Sequence, residues 1–171
     1  MISGSQADKK ARTLVVYYSQ TGNTRAVAER IRDLSGGDLV ELVPVDPYPD
    51  DYSATTQQAK RELQSGYKPP LQTKVENVGA YDIICVGSPN WWSTVAGPVK
   101  TFLSDYDLSG KTLAPFITHG GGGAGRSVAD IKKWCPRASV ANALVVNGYN
   151  TATSLADVAA WLRALDVIRE G

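Results

Sequence analysis

The stretch VVYYSQTGNT, residues 15–24, passes from an apolar run straight into Ser19, Gln20, Thr21, Gly22, Asn23 and Thr24. Three hydroxyls, the Asn23 amide and a glycine fall within six residues, and helix-compatible RAVAERIRDL follows at once. A helix start offers unpaired backbone N–H groups and the positive end of a dipole, and Gly22 lets the backbone come close. That is the chemistry of phosphate binding. Ser, Thr and Asn also cap helices with no ligand present; their density directly after a buried strand favours the anion. A nucleoside triphosphate loop needs G-x-x-x-x-G-K-[ST]. The GKT at 110–112 has Asp105 where the first glycine belongs, and 19–24 contains no lysine. The expected anion is a phosphate monoester held by neutral donors.

Two further loops carry unusual residues. GSPNWWSTVAGPVKTFL (87–103) sets Pro89, Asn90, Trp91 and Trp92 directly after an apolar run. Two adjacent tryptophans are hard to bury together, so one is expected to seal the sheet end and the other to offer its face to a planar ring. THGGGGAGRS (118–127) contains Gly120, Gly121, Gly122 and Gly123. It holds G-x-G-x-x-G at Gly120, Gly122 and Gly125, but the next apolar run ends VVNGYN, without the carboxylate a dinucleotide fold places there. Its HGGG is similar to a lipase oxyanion loop; no G-x-S-x-G elbow occurs, and His119 is the only histidine. A loop without side chains remains, either simply flexible or able to bring its N–H groups against a ligand edge.

The elements that must position these loops are legible as period changes. Apolar runs at 13–18, 39–45, 81–87, 112–118 and 139–147 suit strands covered on both faces. Helical patterns occupy 22–34, 51–65, 95–104, 126–134 and 154–169. The first is expected to bury Val27, Ile31 and Leu34 and to expose Arg25, Glu29 and Arg32. Strict alternation implies a doubly wound α/β fold, a parallel sheet with helices on both faces. Ligands of such sheets bind beyond the carboxyl ends of the strands, here 19–24, 46–49, 88–94, 119–126 and 148–153. The irregular segment 65–80 is a further functional candidate. Tyr17, Tyr18, Cys85 and Cys135 read as core. The expected organisation is a disordered lead-in, 1–11, and one domain, 12–171.

Composition excludes several classes. The 171 residues are 43% hydrophobic and 20% charged, with 18 basic and 17 acidic side chains. That balance lacks the basic stripe of a nucleic-acid binder. No apolar run reaches the roughly 20 residues of a membrane span, and the amino terminus lacks the apolar core of a secretory signal. Two cysteines are too few for a disulfide framework or a metal site. The expectation is a cytoplasmic protein with no metal.

Over residues 12–168 the chain resembles the flavodoxin-like family. YYSQTGNT matches the phosphate-loop signature [ST]-x-T-G-x-T, while PYPDDY, YDIICVGSPNWW and FITHGGGGAGRS are similar to a small bacterial branch with a double-tryptophan loop. The resemblance implies a five-stranded sheet in order 2-1-3-4-5, with FMN as cofactor. It places Ser19, Thr21, Gly22, Asn23, Thr24 and the backbone of Gln20 on the phosphate. Pro89, Asn90, Trp91 and Trp92 would flank the ring on one side and Gly120, Gly121, Gly122 and Gly123 on the other, with no catalytic side chain. Relatives often stack a tyrosine in that fourth loop; here no aromatic lies between His119 and Trp134, which leaves Tyr149, or Tyr67 with Pro69 and Pro70, or water, to cover the ring. Relatives are also strongly acidic and this chain is not. The implied function is a monomeric electron carrier between a reductase and an acceptor enzyme. An FMN-dependent NAD(P)H:quinone-type reductase and a flavin-free binding module are the alternatives.

Overall fold

A computed structural model describes residues 11–149 and 155–168. The lead-in expected over 1–11 lies, apart from Ala11, outside the described residues. So do 150–154 and 169–171, which include the ends of the helix expected over 154–169.

The sheet is built on β1 (Thr13–Tyr17), every residue of which is buried. To one side lies β2 (Asp38–Glu41); to the other lie β3 (Ile83–Trp91) and then β5 (Thr112–His119), all parallel. The five-stranded expectation is corrected to seven strands in five lanes, order 2-1-3-4-5 by lane. The fifth lane is divided into β6 (Ser139–Val140) and β7 (Leu144–Asn147), both parallel to β5. Between them the chain leaves the ladder so that the Asn142 carbonyl can accept the Trp161 indole N–H at 2.9 Å. The seventh strand, β4 (Thr94–Val95), folds back antiparallel on the end of β3. The second lane ends earlier than the run 39–45 predicts, because Pro44 has no N–H for a ladder. Beyond Glu41 the chain pairs instead with the long loop: Val45 N donates to the Pro70 carbonyl and Gln72 N to Val43. Segment 65–80 therefore covers a sheet edge, with Pro69 buried and its carbonyl accepting the Thr101 hydroxyl at 2.7 Å.

Five helices cover the sheet: α1 (Asn23–Ser35), α2 (Tyr52–Ser65), α3 (Gly97–Asp105), α4 (Ser127–Trp134) and α5 (Leu155–Ala164). In α1 the inward stripe is Thr24, Val27, Ala28, Ile31 and Ser35, a 3.6-residue period; the expected Leu34 is exposed. One core lies under α1 and α5 and joins Val15, Cys85, Phe116, Ile31 and Leu162. The other joins Val16, Ile84, Val99, Phe102 and Ile131 under α3 and α4. Across the centre of the sheet, Gly87 is in register with Phe116, whose ring would lie 2.1 Å from a Cβ at position 87. Cys85 and Cys135 are both buried; burial pushes the Cys85 thiol up to about 12 and raises that of Cys135, so both stay protonated as small apolar groups. Among the described residues no helix is long and apolar enough to cross a membrane.

Candidate functional site

At the carboxyl ends of β1, β3 and β5 the loops marked in the sequence meet. Gly22 precedes α1 at φ 100° and a Cβ there would meet nothing within 4 Å. No side chain caps α1, and its first turn holds no acidic residue. The start of α1 thus lacks the internal acceptor that helix N–H groups ordinarily find.

The loop residues divide into two sets. Ser19 Oγ accepts the Gly22 N–H at 3.1 Å, which keeps its own proton free to donate. Thr21 is exposed, and Asn23 approaches the fifth loop so closely that a Cβ on Gly148 would lie 2.6 Å from Asn23 Nδ2. The other two side chains are committed. Thr24 is 2% exposed and its hydroxyl pairs with Thr118 Oγ1 at 2.8 Å, fastening α1 to β5. Gln20 accepts from the Tyr18 hydroxyl and donates to the Pro49 carbonyl at 3.1 Å, joining the first loop to the second.

The third and fourth loops are fastened to each other. Asn90 Nδ2 donates to the Gly123 carbonyl at 2.7 Å, and the Arg126 N–H donates to Ser93 O. Gly125, at φ 56°, lies so near that a Cβ would sit 2.5 Å from Ser93 O. Only glycine fits there. Asn90 Oδ1 is buried without a partner. Gly120, Gly121 and Gly123 face open space.

The two tryptophans separate, one inward and one outward. Trp91 packs edge-on against Tyr18 (5.4 Å between centroids) and Tyr48 (5.0 Å), closing the end of the core. Burial raises both phenols above their ordinary range, Tyr48 further through its bond to Glu62. Trp92 is 43% exposed at φ 57°, followed by Ser93 at φ 69°. Two successive non-glycine residues in the left-handed region form the tip between β3 and β4, a conformation that costs about 1–2 kcal/mol per residue. It is held from outside: Trp92 Nε1 donates to the Thr56 carbonyl at 2.9 Å, and Lys60 Nζ lies 5.1 Å from the ring centroid.

Pro89 follows the buried Ser88 and remains partly exposed at the strand end. Tyr149 is 85% exposed at the carboxyl edge, while Tyr67 borders a small hollow with Trp91, Glu62 and Trp134, and Pro69 is buried against α3. Thr118, Thr56, Ser93, Gly125 and Gly148 also shape the site. Gly125 belonged to the G-x-G-x-x-G pattern; the Trp-Ser tip carries no turn signal, since such turns normally favour Asn-Gly.

A family profile described as Flavodoxin matches residues 12–165. The chain belongs to the flavodoxin family. A Bacteroides eggerthii DSM 20697 protein assigned to the flavoproteins is similar at 31% identity and TM-score 0.81, covering 93% of this chain and 100% of its own. A flavoprotein from Lactobacillus acidophilus NCFM, solved in complex with FMN, is similar at 27% identity and TM-score 0.67, over 85% of this chain and 99% of its own. Oxidised flavodoxin 2 from Bacillus cereus, at 18% identity, shares the fold alone, with TM-score 0.54 over 90% and 99% of the two chains. The flavodoxin lane order accounts for where the loops meet: β1 and β3 are adjacent lanes whose connections leave on opposite faces, which opens the crevice between their ends.

Proposed function

We propose that this flavodoxin-family chain binds FMN at the carboxyl edge and carries electrons between a reductase and an acceptor enzyme. The observation that carries the reading is the start of α1, with open space at Gly22, no side-chain cap and no acidic residue in its first turn. Those features suit a phosphate group that brings its own negative charge. Ser19, Thr21, Asn23 and the loop backbone would hold the phosphate, with Thr24 and Gln20 holding the loop in place. Trp91, Trp92 and Asn90 would border one side of the ring and Gly120 to Gly123 the other, and Asn90 Oδ1 is a buried acceptor in need of a donor. When bound, FMN supplies the redox chemistry; the protein supplies orientation and electrostatics.

One observation favours a second reading. No side chain projects from Gly120 to Gly123, and a Cβ at Gly120, Gly121 or Gly123 would meet nothing within 4 Å, which suits the open ring face that an NAD(P)H:quinone-type reductase requires. An absorbance spectrum after addition of FMN, followed by anaerobic titration with dithionite and then NAD(P)H, separates the readings. Flavin bands bleached by dithionite in one-electron steps, and untouched by NAD(P)H, are expected of the carrier. Rapid bleaching by NAD(P)H selects the reductase, and a chain that takes up no FMN removes both.

A further inference from the structure

The chain has 17 carboxylate side chains, yet none falls in residues 9–28, 83–104, 108–129 or 131–156. Those stretches contain the first, third, fourth and fifth loops of the carboxyl edge. The cations at that edge are less evenly placed. Lys60 lies over the exposed ring of Trp92, and Arg126, joined through its N–H to Ser93, has a side chain 58% exposed. Asp130 is 3.9 Å from the Arg126 guanidinium, but it is turned inward, 22% exposed, and accepts the Thr94 hydroxyl at 2.6 Å. Arg25 is paired with Glu41. The remaining carboxylates at this edge are Asp46, Asp50 and Asp51, between β2 and α2, where Asp51 accepts the Ala54 N–H, and the half-buried Glu62 of α2, which accepts the Tyr48 hydroxyl. The tip between β3 and β4 therefore presents an aromatic edge between two cations.

We propose that Trp92, Lys60 and Arg126 form the docking surface for an acidic protein, a redox partner with Asp and Glu side chains around its own electron-accepting centre. The inference rests on the carrier reading and names the partner's charge. Opposite charge steers encounter and fixes orientation. Trp92 supplies a rigid apolar contact at the centre, and Tyr52, 84% exposed two turns before Lys60 on the same face of α2, extends it. Contacts of this size suit short-lived redox encounters.

The test uses small ions of opposite charge as oxidants. The flavin-loaded protein is fully reduced and mixed anaerobically with hexacyanoferrate(III) or hexaammineruthenium(III); each ion takes one electron, so two are reduced per flavin. Between about 10 mM and 0.5 M salt, screening should slow the anion by roughly 3-fold or more and speed the cation. In the Lys60→Glu/Arg126→Glu variant the two salt slopes should exchange, and binding of poly-L-glutamate should be lost. Equal slopes, or a wild-type preference for the cation, overturn the proposal. Tryptophan quenching in the flavin-free chain keeps the question separate from flavin binding: with each quenching constant divided by that of free N-acetyltryptophanamide, iodide should quench more than caesium, through a component that Trp92→Phe removes. If the chain takes no FMN the carrier reading fails, yet the iodide–caesium comparison still decides the charge of the rim, and a preference for caesium overturns it.

Discussion

Two of the helices that begin at the carboxyl edge of this sheet, α1 and α2, begin differently. The start of α2 is complete in itself: Asp51 precedes the helix in extended conformation and its carboxylate accepts the Ala54 N–H at 2.8 Å. The start of α1 has a glycine where α2 has the aspartate, with no side-chain cap. The sequence around α1 is not short of capping residues, since Ser19, Thr21, Asn23 and Thr24 are all present. They are turned elsewhere, Ser19 toward the Gly22 N–H and Thr24 toward β5. A helix start with hydroxyls around it and none used as a cap is suited to a ligand; a helix start closed by its own carboxylate is complete without one. Since α3 and α4 also begin without a side-chain cap, what sets α1 apart is the missing cap together with the open space at Gly22 and the hydroxyls of Ser19 and Thr21 beside it.

The sharpest way to break the contrast is to give α1 an anion of its own. In Thr21→Asp the new carboxylate should raise the FMN dissociation constant about 100-fold, near 2.7 kcal/mol. The flavin-free variant should melt no lower than wild type, because an acid at a helix start favours the dipole. Fluorescence titration and calorimetry read the two halves; unchanged flavin affinity would move the phosphate away from this loop.

Removing the cap of α2 is the converse. Asp51→Ala should cost about 1 kcal/mol in urea unfolding and leave FMN affinity unchanged, since that start serves only the helix. A large loss of flavin affinity would show that both starts belong to the ligand. Inorganic phosphate gives a gentler comparison. At a concentration equal to its dissociation constant it should stabilise the flavin-free wild type by about 0.4 kcal/mol through mass action. Asp51→Ala should respond equally and Thr21→Asp should not.

The smallest effect concerns charge. The carboxylates at this edge lie beside α2, and none lies in the loops that would flank the ring. A nearby negative charge raises the cost of adding another, so the second reduction potential should be less negative than in acidic flavodoxins. Gly120→Asp, at a position with open space, should make it more negative by tens of millivolts, read by redox titration. A wild-type potential already as low as that of acidic relatives contradicts the argument.

Much of this was written in local pattern. The parallel sheet with helices on both faces followed from apolar runs alternating with helical periods, because strands buried on both faces must be apolar nearly throughout, whereas the lane order came only from the family resemblance. What escaped depended on contacts distant in sequence. The fifth lane divides because Asn142 meets Trp161, and the second lane stops where Pro44 removes a donor and segment 70–73 takes over. In the candidate site, the glycines and tryptophans were visible by type. Their partners were not: Thr118 is 94 residues from Thr24, and Ser93 acquires its left-handed backbone only because Arg126, Thr56 and Lys60 hold the tip around it.

The pairing of Gly87 with Phe116 bears on how this sequence can change over time. One volume in the middle of the sheet is shared by two positions on neighbouring strands, and the aromatic ring occupies all of it. Substitutions at the two positions are therefore not independent events. A larger residue at 87 is admissible only after the ring at 116 has given way to something smaller, and a smaller residue at 116 leaves a hole until 87 grows. In a library randomised at both sites, surviving variants should trade bulk between the two strands. Single steps from the present pair should be depleted, and the order in which the changes arise should run through position 116 first.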